Sequence, residues 1–394
     1  MQVAIVGAGI GGLTAAIALA RKGIDCTVYE QSDSLGATGA SLQLGPNALR
    51  LMDELGLLPR LRTIGVRPEA VDFVRWRDGS LLLHTPLGPG MEEHFGAPQL
   101  DFFRPDLHRL LLSALPDGAI RAGAGVAAVE QDADGVWLHL ADGGTVAADL
   151  AVAADGIRSV LRQQFTGADE PVFTGTVVYR GVAPRAAAIE RHPKHVNYYW
   201  LGPYRHGVSY WISSGERLAV NCAVQDAEWS RESWTLTTSA EEALEHFEGW
   251  DEGLRARIRA CETMLRTAVF VRRPLDQWSF GRVTLLGDAA HAMEPFQAQG
   301  AAQAVEDAYV LAECLAAGHP VDALRRYETL RKNRAGELQS SSHAAAESFY
   351  LPDGDEQRAR DESYRRLPET LPWGTRQPVW EHDVRTALRT ATAS

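Results

Sequence analysis

The run Val3-Ala4-Ile5-Val6 stops on Gly7-Ala8-Gly9-Ile10-Gly11-Gly12. From Leu13 the apolar residues Leu13, Ala16, Ile17 and Ala20 recur at helical spacing until Arg21-Lys22-Gly23 closes the pattern. Cys26-Thr27-Val28-Tyr29 then reads as strand again and ends at Glu30. Strand, glycine-rich turn, helix and strand within about thirty residues make a βαβ unit, which commits this part of the chain to a parallel sheet covered on both faces. In G-x-G-x-x-G, Gly7 permits the tight turn, Gly9 lets the backbone approach a pyrophosphate, and Gly12 lets helix and strand pack closely. The helix start offers unpaired N–H groups and the positive end of its dipole, and Glu30 is placed to accept hydrogen bonds from a ribose.

Two later stretches end in the same way. Leu150-Ala151-Val152-Ala153-Ala154 runs into Asp155-Gly156, and Val283-Thr284-Leu285-Leu286 runs into Gly287-Asp288. Ligands of open α/β sheets lie outside the carboxyl ends of the strands, so these pairs are expected beside the first turn. A carboxylate at Asp288 can accept hydroxyl protons from a ribityl chain, which nicotinamide dinucleotides lack, and this favours a flavin dinucleotide. Asp155 also has a plainer reading, a cap on the turn after its strand. Beyond Gly300, residues Ala301, Ala304, Val305, Ala308, Leu311, Ala312 and Leu315 share one helical face. Between about Pro171 and Val271 the texture changes to alternating and aromatic runs, among them Val196 to Leu201, His206 to Ile212 and Leu218 to Val224, which predict antiparallel strands.

At 394 residues the chain has room for two domains. Its 39 basic and 51 acidic residues leave a formal charge of −12, which opposes binding to nucleic acid or an anionic membrane and favours a small-molecule partner. Cys26, Cys222, Cys261 and Cys314 stand far apart with no C-x-x-C pair, so neither a disulfide framework nor a metal site is expected, and a reducing cytoplasm fits best. Gln2 to Ala20 is uncharged, but glycines punctuate it and no basic residue precedes it, unlike a signal peptide. Monomer and homodimer both remain open.

Taken together, the motifs give the chain a resemblance to the single-component FAD-dependent aromatic hydroxylases over residues 1 to about 345. It rests on Gly7 to Gly12, Glu30, Arg104-Pro105-Asp106-Leu107, Asp155-Gly156, and Gly287-Asp288 through Gln299-Gly300. The resemblance implies an α/β fold, with a glutathione-reductase-like (Rossmann) FAD-binding domain, an inserted and mainly antiparallel substrate domain, and C-terminal helices. The expected division is a discontinuous FAD-binding domain at 1–75, 100–170 and 272–345, a substrate domain at 76–99 and 171–271, and a helical cover or tail at 346–394.

For the residues it implies that Glu30 holds the adenosine ribose, Arg104 contacts the flavin side, Asp155 serves flavin and nicotinamide binding, and Asp288 binds the ribityl chain. Gln299 and Gly300, where a helix starts, are expected against the flavin, and His291 is read as framework. NADH or NADPH is implied as a transient reductant, since no second G-x-G-x-x-G has a strand and helix around it. O2 is the implied co-substrate, reacting by way of a flavin C4a-hydroperoxide.

An electrophilic oxygen donor needs an electron-rich ring, and a phenol is most nucleophilic once deprotonated. In His206-Gly207-Val208-Ser209-Tyr210 the period of two puts His206, Val208 and Tyr210 on one strand face. His206 is placed to take a phenolic proton near neutral pH, with Tyr210 bonding the same oxygen or a carboxylate. Spacing alone reads the pair as ordinary half-buried residues; the resemblance to the hydroxybenzoate and hydroxynicotinate branch implies that they are catalytic. Gln43 matches a substrate-facing position in that branch, its plain reading being a solvent-facing strand residue. Pro295 and Phe296, just before the helix, are expected to border the space above the flavin, where a small aromatic substrate would lie. Halogenases, epoxidases, reductases and non-enzymatic binding proteins share this fold; Trp211-Ile212 lacks the W-x-W-x-I-P of tryptophan halogenases.

Overall fold

In the computed structural model, which describes residues 1–36, 39, 41–167, 169–190, 192–226 and 236–392, strand Gln2–Val6 lies inside a six-stranded sheet. Its order is Ser279–Phe280, Val283–Leu285, Leu150–Ala153, Gln2–Val6, Asp25–Tyr29, Ile120–Arg121. The inner strands run parallel, and Val6 pairs with both Tyr29 and Ala153, which in turn pairs with Leu285. Because these strands end level, Gly7, Glu30, Asp155 and Gly287 emerge along one edge.

Helix Ile10–Arg21 is apolar nearly all round because it is covered twice, by the sheet and by helix Gly300–Ala317. Gly11 leaves the room that Ala304 and Leu286 occupy: a Cβ there would meet the Leu286 side chain at 2.8 Å. A small antiparallel sheet, Val126–Gln131, Val136–Leu140 and Thr145–Ala148, is inserted before Leu150–Ala153.

The second layer is an eight-stranded sheet ordered Thr237–Thr238, Met264–Val271, Val172–Pro184, Arg217–Gln225, Arg205–Ile212, Val196–Gly202, Ala70–Arg75, Leu81–Pro86. The antiparallel run expected between 171 and 271 is thus observed, although 191 and 227–235 lie outside the described residues, as do 37, 38, 40, 168 and 393–394 of the other expected segments. Strand Ala70–Arg75 corrects the expected boundary after residue 75. It belongs to this sheet, pairing in parallel with Val196–Gly202 and antiparallel with Leu81–Pro86. A parallel partner so far along the chain leaves no trace in local periodicity.

After helix Pro320–Phe349 the chain forms helices Asp355–Thr370, Gln377–Glu381 and Val384–Thr392. The first lies over the outer strand Leu81–Pro86, with Tyr364 edge-on to Phe73 at 5.4 Å; the second packs on helix Pro46–Glu54, with Trp380 edge-on to Phe95 at 5.8 Å, and the third on helix Gly300–Ala317. Among the described residues no helix is long and apolar enough to cross a membrane.

Candidate active site

The glycine-rich turn has the shape its sequence predicts. Gly7 takes φ +100°, and a Cβ there would sit 2.5 Å from the Ala154 carbonyl oxygen; one on Gly12 would sit 2.0 Å from the Gly7 carbonyl oxygen. Gly9 differs, since a Cβ on it would meet no protein atom within 4 Å. The first two glycines therefore serve packing, and the third faces open space at a helix N-terminus, where an anion is favoured. Glu30 sits beside it, accepting from Ala8 N–H at 2.8 Å and Ser32 N–H at 2.9 Å. His108 contacts the Ala8 carbonyl at 2.8 Å and holds the turn from below; nothing in its sequence context marked it.

At the next strand end Asp155 accepts from Val160 N–H at 3.0 Å, so it does cap its turn. Its other carboxylate oxygen is buried and unpartnered, and burial raises its pKa despite the hydrogen bonds around it. Arg104 and Asp288 line a cavity of about 320 Å3 that opens between the two layers. The Asp288 side chain is open to solvent through this cleft, yet the surrounding protein raises its pKa, against the opposing pull of His291 and Arg104.

Gly300 and Ala301 line the same cavity. The helix they begin leaves its first N–H groups without intrahelical partners, and Ala298, in the left-handed region at φ 54°, makes the turn into it. The Gln299 side chain corrects the expectation for it. It is buried and turned into the protein, its oxygen accepting from Asn47 at 3.1 Å and Gln303 at 3.2 Å, so only its backbone can face a ligand. His291 is framework, bonded to Asp307 at 2.6 Å in the same buried network.

The opposite wall is the eight-stranded sheet. His206, Val208 and Tyr210 all line the cavity, and Pro295 and Phe296 border it from the helix side. The ring of Phe296 lies 5.3 Å from that of His206. His206 is buried, its Nδ1 has no partner, and burial together with the Arg180 charge pushes its pKa down to about 3. It therefore stays neutral at the near-neutral pH at which the sequence reading has it taking a phenolic proton.

Arg180, also on the wall, donates from Nε to Thr267 at 3.1 Å. The Tyr210 hydroxyl, held protonated by burial, donates to Ser41 Oγ at 2.8 Å, and Asn221 donates to the same oxygen at 3.0 Å. With two donors on it, Ser41 keeps its own proton to give into the cavity that it lines. Gln43 is buried and lines the cavity rather than facing bulk solvent. Arg180, Ser41, Asn221 and Tyr199 are additions that local sequence did not reveal.

A parallel-sheet edge built around a glycine turn, with an antiparallel sheet closing a cavity over a helix start, is the architecture of a flavin-dependent enzyme with its own substrate domain. The chain belongs to the FAD binding domain family, whose model matches residues 1–342. It is 43% identical over 366 residues, 92% of each chain, to a 3-amino-4-hydroxybenzoate 2-monooxygenase of Streptomyces platensis. It is 35% identical over 347 residues, 87% of this chain and 90% of the other, to 6-hydroxynicotinate 3-monooxygenase of Bordetella bronchiseptica. Among solved structures it matches Klebsiella pneumoniae HpxO, complexed with FAD and uric acid, at TM-score 0.85 and 27% identity over 100% of this chain and 97% of that one. The protein is a flavoprotein of the aromatic monooxygenase class with FAD as its cofactor, as the motifs implied.

Proposed function

We propose that the protein hydroxylates a phenolic aromatic acid, using NAD(P)H and O2, and that 3-amino-4-hydroxybenzoate represents the substrate class. The observation that carries this is the cavity, with a neutral histidine, a half-buried arginine and a tyrosine–serine pair on one wall and an apolar Pro295–Phe296 ledge on the other. The 43% identity to enzymes named for that compound supports the choice of ring.

The residues fit the cofactor. The open space at Gly9 suits a pyrophosphate, Glu30 the adenosine ribose, Asp288 and Arg104 the chain and ring edge, and the free end of Asp155 the same strand edge. When bound and reduced by NAD(P)H, FAD would supply the activation of O2, one oxygen atom being inserted into a ring C–H bond and the other leaving as water. The protein binds and activates the ring. Arg180 stabilises a phenolate, His206 offers Nδ1 to the phenolic proton, and Tyr210 with Ser41 fixes the oxygen's position. Phe296 and Phe349 exclude water from the apolar side.

The purified protein is expected to be yellow and to oxidise NADH or NADPH faster when 3-amino-4-hydroxybenzoate is added, with a product heavier by one oxygen atom. A colourless protein after reconstitution, or stimulated oxidation with no oxygenated product from any phenolic acid, would overturn the reading. Asp288→Ala is expected to weaken FAD binding by about 10- to 100-fold, the equivalent of one hydrogen bond to a charged group. The flavin-to-protein absorbance ratio after gel filtration reads this directly.

A further inference from the structure

Gln43 sits in strand Ser41–Leu44 with one face on the cavity, and its amide is oriented by a residue from the far end of the chain. Arg376 Nη1 donates to Gln43 Oε1 at 2.8 Å, and the Tyr199 hydroxyl donates to the same oxygen at 2.9 Å. Arg376 Nη2 in turn donates to the Tyr199 oxygen at 2.9 Å. A guanidinium has only donors, so the Gln43 atom facing it must be the oxygen, and both of that oxygen's lone pairs are used. The amide cannot flip without losing two bonds. Its Nε2 is thereby left buried with no protein partner, a donor whose desolvation is uncompensated.

The segment that brings Arg376 is firmly seated. Trp373 stacks on His94 at 4.3 Å, Trp380 packs on Phe95, and Arg50 donates to the carbonyls of Trp380 at 2.9 Å and His382 at 2.8 Å. Gly374, at φ +75°, turns the chain between the two tryptophans. The Arg376 bonds go to neutral acceptors, and among the described residues no ion pair is recorded for it. Asp101 is the nearby carboxyl that feels its charge. Burial pushes Asp101 up to about 7, against hydrogen bonds from Asn197 and Gln99 and the pull of Arg376.

We propose that Arg376 is a positioning residue that sets substrate specificity: with Tyr199 it locks Gln43 so that the amide NH2 binds the carboxylate of an aromatic acid at the end of the cavity. This rests on the aromatic-acid reading above and assigns its carboxylate subsite. Arg376 lies beyond residues 1–342, so the selectivity sits on a part of the chain that the family match does not include.

The test uses FAD-loaded protein and reads ligand binding by the change in flavin absorbance, with 3-amino-4-hydroxybenzoate and its uncharged carboxamide as paired probes. In Arg376→Met, Kd for the acid is expected to rise about tenfold or more, the value of one hydrogen bond to a charged group. Kd for the carboxamide is expected to change less, and flavin content not at all. Gln43→Glu keeps an oxygen for Arg376 and Tyr199 but replaces the NH2 by an acceptor. It is expected to abolish acid binding while the carboxamide, itself a donor, still binds. Equal losses for acid and amide in both variants, or unchanged acid binding, would overturn the assignment. Wild-type holoprotein that responds to neither probe nor to other hydroxylated aromatic acids would instead overturn the aromatic-acid reading, and the subsite with it.

Discussion

Arg331→Met is expected to destabilise the protein by about 3–5 kcal/mol, since it removes the cation shared by two buried carboxylates and leaves Asp307 to His291 and Glu306 to Arg334. Arg331 is fully buried in helix Pro320–Phe349, and donates to Asp307 at 2.8 Å, to Glu306 at 2.6 Å and to the Gln303 side chain at 2.6 Å. Asp307 also accepts from Gly287 N–H at 3.0 Å, and Glu306 from Asn47 at 2.6 Å. One network thus ties the Gly287-Asp288 turn and the helix start at Gly300 to the longest helix.

The pH dependence has a definite sign. Burial alone would raise Asp307, but His291 and Arg331 outweigh it and hold it down to about 2; Glu306 is likewise held below its ordinary value, chiefly by Arg331. Unfolded carboxylates protonate near pH ~4, so the stability these groups contribute is present above that pH and is lost as pH falls toward 2. Without Arg331 both carboxyls lose part of what holds them down against burial, while His291 still acts on Asp307 and Arg334 on Glu306. The variant's deficit is then largest near neutral pH and shrinks on acidification. Urea midpoints at pH 7 and pH 5 check this; a deficit that is equal at both would contradict it. FAD retention should weaken alongside, because the Asp288 turn loses its support.

How far sequence reaches can be judged from these residues. The parallel edge was legible because each strand end carries its own signal, a glycine or acid after an apolar run, and because the ligand-side rule aligns the ends without knowledge of the packing. The His206–Tyr210 face was legible for the same reason, as a period-two property of one strand. The rest of the wall was not. Asn221, Arg180 and Tyr199 come from three strands that only the order of the eight-stranded sheet brings together, and Ser41 comes from a separate strand, Ser41–Leu44, that pairs with Leu100–Phe103 and packs against that sheet.

A signal did exist for two of the missed features. Arg180 follows directly on Val177-Val178-Tyr179 in a largely apolar strand, and Glu306-Asp307 interrupts an alanine-rich helix; charges in such surroundings are rarely present without a partner or a task. Gln299 was misplaced because a position at a helix start says where the backbone points, while the side chain went to the buried network behind it. The reach of Arg376 to Gln43 joins segments at opposite ends of the chain, and no local pattern encodes that.

His206→Ala is expected to lower the rate of ring hydroxylation by about 10²–10⁴-fold, the usual contribution of a positioned proton acceptor, with FAD retention intact because the residue lies on the wall opposite the dinucleotide edge. At first sight its pKa of about 3 argues against any such role. The two causes of that value, burial and Arg180, act differently once a phenol is bound. Burial penalises an isolated charge, but transfer of the phenolic proton creates a pair of opposite charges whose attraction is strong in a poorly solvated site. Arg180, which disfavours the imidazolium, favours the phenolate.

The cavity therefore keeps His206 neutral and ready at working pH and places most of the driving force on the anion. Three consequences follow. The acid limb of wild-type activity should not fall at the ordinary histidine pKa. The loss in His206→Ala should shrink as pH rises toward the phenol's own pKa of about 10, where solvent supplies the phenolate. The variant should also be less acid-sensitive in stability, because an unfolded histidine protonates near pH ~6.5 while the folded one resists until about 3, a cost that grows as pH falls between these values. Product formation measured beside NAD(P)H oxidation across pH decides the matter: a constant fold-loss at every pH, or undiminished product, would remove His206 from the proton's path and leave Arg180 alone to account for ring activation.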